Sequence, residues 1–135
     1  MSCSNNVKNC SYDEYKNFIT DNEQESLFLE CIQEFNESNF RGTILIDENT
    51  LSYGWHENEL DNPNDILEKL QGYSVYGIMH INGITYFKKA SGFIDDSCGL
   101  MYVPQGSKLP NEVRISQILI DKGSKGKWYF VEAKL

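Results

Sequence analysis

The chain has 135 residues, 40 % hydrophobic and 13 % aromatic, which suits one folded domain able to bury roughly two-thirds of its unfolded surface. Twenty acidic residues against twelve basic ones give a formal charge of −8, which opposes nucleic-acid binding and leaves a basic protein partner open. No run of about eighteen apolar residues exists, so no transmembrane segment is expected.

Residues 1–10 are polar and Asn-rich and read as a flexible segment ahead of a single α+β domain over 11–135. Residues 1–6 offer neither a basic n-region nor an apolar h-region, so a cytoplasmic protein is expected. Cys3 followed by Ser4, Asn5 and Asn6 also resembles the start of a mature envelope lipoprotein. Ser11-Tyr12-Asp13-Glu14 and Thr20-Asp21-Asn22-Glu23 both have capping-box form, the hydroxyl meeting a backbone N–H and the Glu reaching back. The second opens a helix over about 21–37, in which Phe28, Cys31, Ile32 and Phe35 repeat at helical spacing beside Leu27. Asp21, Glu23 and Glu25 fall in its first turn, where the helix dipole favours negative charge.

After Gly42 the period changes. Thr43-Ile44-Leu45-Ile46-Asp47 reads as a buried strand, and Leu51, Tyr53 and Trp55 alternate with Thr50, Ser52 and His56 beyond Glu48-Asn49, predicting a hairpin or bent pair. Asn62 as N-cap, Pro63 at the first helical position, Asp65 in the first turn and Gly72 as terminator predict a short helix with Ile66, Leu67 and Leu70 on its apolar side. Residues 74–81 and 84–94 flank Asn82-Gly83, a strong hairpin signal. A two-residue loop pairs Ile81 with Ile84, Met79 with Tyr86 and Gly77 with Lys88 on one face. The other face pairs His80 with Thr85, Ile78 with Phe87 and Tyr76 with Lys89. Both faces are partly apolar, so the hairpin is expected to be covered on part of each. A turn at Asp95-Asp96-Ser97-Cys98-Gly99 leads to a strand over 100–103, a loop over 104–111, and a final hairpin of 113–121 and 127–134.

Helices gathered before a largely antiparallel sheet indicate an α+β fold. The two-helix start and the Gln117-Ile118-Leu119-Ile120…Gly126-Lys127-Trp128-Tyr129-Phe130-Val131 hairpin give an order that resembles the cone-shaped, NTF2-like fold. That resemblance implies a curved sheet packed on helices, with a pocket at its open end.

Chemistry-bearing motifs are missing. There is no GxGxxG, GxxxxGK[ST], HExxH, GxSxG or EF-hand loop, so no catalytic residue, cofactor or metal is expected. Cys3, Cys10, Cys31 and Cys98 form no CxxC pair and only two histidines accompany them, which argues against zinc. Four free thiols is the favoured reading, Cys31 being a small buried hydrophobe; a Cys3–Cys10 bridge stays open for an oxidising compartment. His80 is either a hydrogen-bonded strand histidine or a base oriented by Asp95 or Asp96.

The acids are unevenly placed. Residues 1–70 hold fifteen acids and four bases, a net of −11, while residues 71–135 carry a net of +3. Once helix caps and dipoles account for Glu14, Asp21, Glu23, Glu25 and Asp65, there remain Asp47, Glu48, Glu57, Glu59 and Asp61, set around Tyr53 and Trp55. Aromatic anchors beside charges are what protein interfaces use for affinity and steering. The resulting expectation is a small acidic binding module, similar in class to bacterial immunity proteins that neutralise basic, nuclease-type toxins. The competing expectations are an NTF2-like pocket protein, lined by Met79, His80, Tyr86, Asp95, Met101 and Trp128, and an envelope lipoprotein domain.

Overall fold

The stripe of Phe28, Cys31, Ile32 and Phe35 does what its spacing predicts. In the computed structural model, which describes residues 22–73, 75–91, 97–108, 114–121 and 126–133, it is the buried face of helix α1 (Asn22–Glu37), with no member more than 6 % exposed. Cys31 is a buried thiol that desolvation pushes up to about 12, so it stays protonated and unreactive. The 1–10 segment, the first capping box, Cys3, Cys10, Asp95 and Asp96 of one expected turn, and residues 122–125 of the other lie outside the described residues.

Among the described residues, seven strands form one sheet: β1 (Arg41–Asp47), β2 (Thr50–Glu57), β3 (Gly77–Ile81), β4 (Ile84–Ser91), β5 (Ser97–Pro104), β6 (Arg114–Asp121) and β7 (Gly126–Ala133). Their spatial order is β2-β1-β3-β4-β5-β7-β6, and every neighbouring pair is antiparallel. A second helix, α2 (Pro63–Leu70), links β2 to β3. The architecture is therefore α+β, with helices on an antiparallel sheet.

Asn82-Gly83 sets the central register as expected. Both residues have positive φ, +56° and +84°, which a tight two-residue hairpin needs. The ladder pairs Ile81 with Ile84, His80 with Thr85, Met79 with Tyr86, Ile78 with Phe87 and Gly77 with Lys88. Carried across the sheet, these registers define its two faces. On the helix-covered face one row runs Tyr53, Ile44, Ile78, Phe87, Leu100, Phe130, and the next runs His56, Gly42, His80, Thr85, Tyr102, Trp128. The opposite face carries Thr43, Met79, Tyr86, Met101 and Tyr129 in one row, and Tyr86, Met101 and Tyr129 form a second buried cluster with Ile84, Val103 and Val131. Both faces of the central hairpin are thus covered, as its two-sided apolar pattern implies.

Three local details differ from or add to what the sequence led us to expect. First, Glu25 lies in the first turn of α1 as expected, but it is 5 % exposed and accepts a 2.9 Å hydrogen bond from the Trp128 indole N–H. A buried indole donor needs a partner, and α1 lies over β7, so the carboxylate is drawn inward. Burial, and then the Glu25 charge, raise the Tyr102 hydroxyl above its ordinary value. Second, Asn62 occupies the N-cap position of α2 but its side chain caps nothing; the Asp65 N–H bonds instead to the Asn62 main-chain carbonyl at 3.1 Å. The 58–62 segment is held to the end of α1, with the Asn58 amide donating to the Asn39 carbonyl and the Asp61 N–H to the Ser38 hydroxyl. Third, Leu45 is 56 % exposed, although the apolar run around it reads as wholly buried. Ile44 beside it is 1 % exposed, because the outer face of β1 is open where the inner one is packed.

Acids also pack between the helices. Lys69 of α2 lies 3.3 Å from Glu34 and 3.8 Å from Glu30 of α1, and it contacts Asp65 one turn earlier in α2. Asp65 is held below the usual carboxylate range by hydrogen bonds to Glu34 and Lys69. Glu34 is pushed up, first by burial and then by Asp65. These acids belong to helix packing.

Gly42 is the backbone requirement of this edge. It has φ +145°, and a Cβ there would collide with the Trp55 carbonyl and the His56 backbone across the ladder. Gly42→Ala is expected to cost about 1–3 kcal/mol, from strain and from the forced shift of β2. Urea unfolding checks it; a variant as stable as the parent would refute the close approach.

Candidate protein-docking face

The β1–β2 hairpin forms one edge of the sheet, and the seven residues expected to bind a partner all lie on or beside it. They do not form a single cluster. Asp47 ends β1 and Glu48 lies in the tight turn before Thr50, whereas Glu57, Glu59 and Asp61 lie at or past the far end of β2. At about 3.3 Å per residue, the eight-residue strand separates the two groups by more than about 20 Å. All five acids are exposed.

The two aromatics part company. Tyr53 points into the core face, stacks on His56 with centroids 4.5 Å apart, and accepts a 3.0 Å hydrogen bond from the buried Leu60 N–H. It is a structural residue. Trp55 is 53 % exposed. The cause is a bulge: Ile44 pairs with Tyr53 but Gly42 pairs with His56, so Thr43 faces both Gly54 and Trp55. That extra residue turns Trp55 to the outer face, where the Arg41 guanidinium lies 5.2 Å from its ring centroid and bonds Glu57 at 3.4 Å.

Leu45 and Arg41 join the site only in the fold. Leu45 stands on the same outer face, two positions along β1 from Thr43 and thus from the Trp55 bulge. Half-buried Met79 is paired with Thr43 and continues into the buried Tyr86, Met101 and Tyr129 row. The apolar outer face therefore emerges into solvent at Trp55 and Leu45, bordered by Arg41 and Glu57. Exposed apolar residues contiguous with an apolar face mark a contact surface more strongly than scattered ones. Nothing in the run 43–47 distinguishes Leu45 from buried Ile44 and half-buried Ile46, since all three central residues are aliphatic.

The six alternative pocket residues are differently placed. Met79, Tyr86 and Met101 are on the outer face, His80 and Trp128 on the helix-covered one, and Asp95 lies outside the described residues. His80 is 3 % exposed, 5.3 Å from the Phe35 ring. Its Nε2–H donates to the Asn36 side-chain carbonyl at 3.0 Å, which leaves Nδ1 to accept from the Thr85 hydroxyl at 2.6 Å. Burial pushes it down to about 4. Such a histidine is neutral and structural. Because its folded value lies below the unfolded 6.5, it supports stability above pH 6.5, and that support is lost as pH falls towards 4. The loss is expected to reach about 3 kcal/mol, and His80→Gln should flatten that part of the profile. Urea midpoints measured across this range decide it; equal slopes in both chains would refute the assignment.

Among the described residues, no group of three or more His, Cys, Asp and Glu side chains is placed to hold a metal ion, and no helix is long and apolar enough to cross a membrane. No family model, curated protein or solved structure matches the chain.

Proposed function

We propose that this chain is a small acidic binding module that docks on a basic protein through the outer face of its β1–β2 edge. The observation that carries the reading is the exposure of Trp55 and Leu45 on one face, where a bulge and an open sheet edge present them together. Trp55 and Leu45 supply the anchor, while Glu57, Glu59 and Asp61, within a chain of net charge −8, supply steering towards a basic surface. Size, acidity and the missing catalytic motif favour an immunity-type role, a cytoplasmic inhibitor that covers the phosphate-binding face of a nuclease-type toxin. The cone-shaped, NTF2-like alternative needs a cavity shared by Met79 and His80, and these lie on opposite faces of β3. An envelope lipoprotein domain could use the same edge.

Salt decides between charge-steered docking and adventitious apolar contact. Immobilised chain is expected to capture a basic polypeptide from extracts of its source cell at low salt and release it at high salt. Capture that is indifferent to salt, or recovery of acidic proteins only, would overturn the proposal.

A further inference from the structure

The turn end of the same hairpin borders a cleft of about 400 Å³ that the Trp55 face does not include. Ile46, Leu67, Leu70 and Val75 contribute aliphatic side chains to its lining, beside the polar Asn49 and Gln71 and the acids Asp47 and Glu48. Both acids are exposed, and among the described residues neither has an ion-pair partner. The neighbouring cations are otherwise engaged. Lys69 is held by Glu30, Glu34 and Asp65, and Lys88 lies 5.6 Å from the Tyr76 ring centroid.

A cleft that offers aliphatic side chains beside two exposed carboxylates matches one kind of side chain, a long aliphatic stem ending in a cation. We infer that this cleft receives an arginine side chain of a basic polypeptide, the stem lying along Leu67, Leu70 and Val75 and the guanidinium reaching Asp47 and Glu48. Arginine fits better than lysine because its planar fork can bond two carboxylates at once. The inference rests on the proposed basic partner, for which it supplies a second contact point about one strand length from Trp55.

Glu48 adds a separate observation. Its φ is +54°, a left-handed conformation that glycine adopts without cost and glutamate does not. Glu48→Gly should therefore raise the melting temperature while weakening arginine binding, which a merely structural turn residue would not do.

The probes are the tripeptide Gly–Arg–Gly, with lysine and norleucine versions as comparators, titrated into the full chain and followed by backbone amide shifts. Saturable shifts confined to residues 46–49, 67–72 and 75–76 are expected, strongest for arginine and absent for norleucine. Asp47→Asn with Glu48→Gln should lower affinity at least about tenfold, since each removes a charge-assisted bond. Trp55→Ala should leave the titration unchanged. Shifts spread over the whole acidic surface, equal binding of norleucine, or full affinity in either Glu48 variant would overturn the inference. If Trp55→Ala leaves partner capture intact while the peptide still titrates into the cleft, the Trp55 docking face fails and the cleft stands. If partner capture is lost with Trp55→Ala but no peptide shift appears, only the cleft fails.

Discussion

Replacing Phe28 by alanine is expected to remove about 3–5 kcal/mol of folding stability, a large share of the roughly 5–15 kcal/mol that a domain of this kind possesses. Phe28 is fully buried and sits where α1 meets the sheet. Its ring stacks on Phe87 at 4.7 Å, meets Tyr73 edge-on at 5.8 Å and lies 6.3 Å from Trp128. Truncation loses the transfer energy of the ring and leaves a cavity that Phe87 and Trp128, held by their own strands, cannot fill. It also loosens α1 above the Glu25–Trp128 hydrogen bond, so near-ultraviolet circular dichroism should fall with the urea midpoint. Phe28→Leu, which keeps part of the volume, should recover about half of the loss. A Phe28→Ala chain within about 1 kcal/mol of the parent would mean that α1 is not the lid of this core.

Trp55→Ala is expected to act on binding and spare the fold. Truncating a central aromatic anchor costs about 2–4 kcal/mol of binding, roughly 30- to 1000-fold in affinity for the proposed basic partner. Half-exposed Trp55 contributes to stability mainly through Arg41, whose ring contact and exposed pair with Glu57 are together worth about 1 kcal/mol or less. Titration calorimetry beside thermal melts checks both halves. Leu45→Ala should weaken binding by a smaller factor, and Tyr53→Phe should not change it directly, since the Tyr53 hydroxyl serves the Leu60 N–H. Undiminished affinity in the Trp55 variant would remove this face from consideration.

Much of the scaffold was legible because it depends on short-range periodicity. The α1 stripe needed only helical spacing, and the Asn82-Gly83 register followed from a turn whose backbone few other pairs can adopt. Strand ends were less legible: β5 is already a strand at Ser97, where the expected start was 100, while residues 92–94, expected to end β4, lie outside the described residues. Ends depend on the partner strand, and local propensity does not contain it.

The candidate site was legible in composition and not in layout. Trp55 among acids could be named from order alone. Tyr53, two positions earlier, looked equivalent, but it pairs with Ile44 on the packed face, and the bulge before the Gly42–His56 pair turns Trp55 to the other. Glu25 read as a dipole acid because the indole it serves is 103 positions away.

By itself, then, the sequence determined the negative charge of the chain, the buried face of α1, the central hairpin and the absence of familiar catalytic motifs, all properties of neighbouring residues. Tertiary structure alone decided that Leu45 is exposed while Tyr53 is half-buried against the core and His80 buried, that the five acids divide between two ends of β2, and that a cleft opens beside one of them. Those outcomes depend on which strand lies beside β1 and which face α1 covers, and no local pattern encodes either.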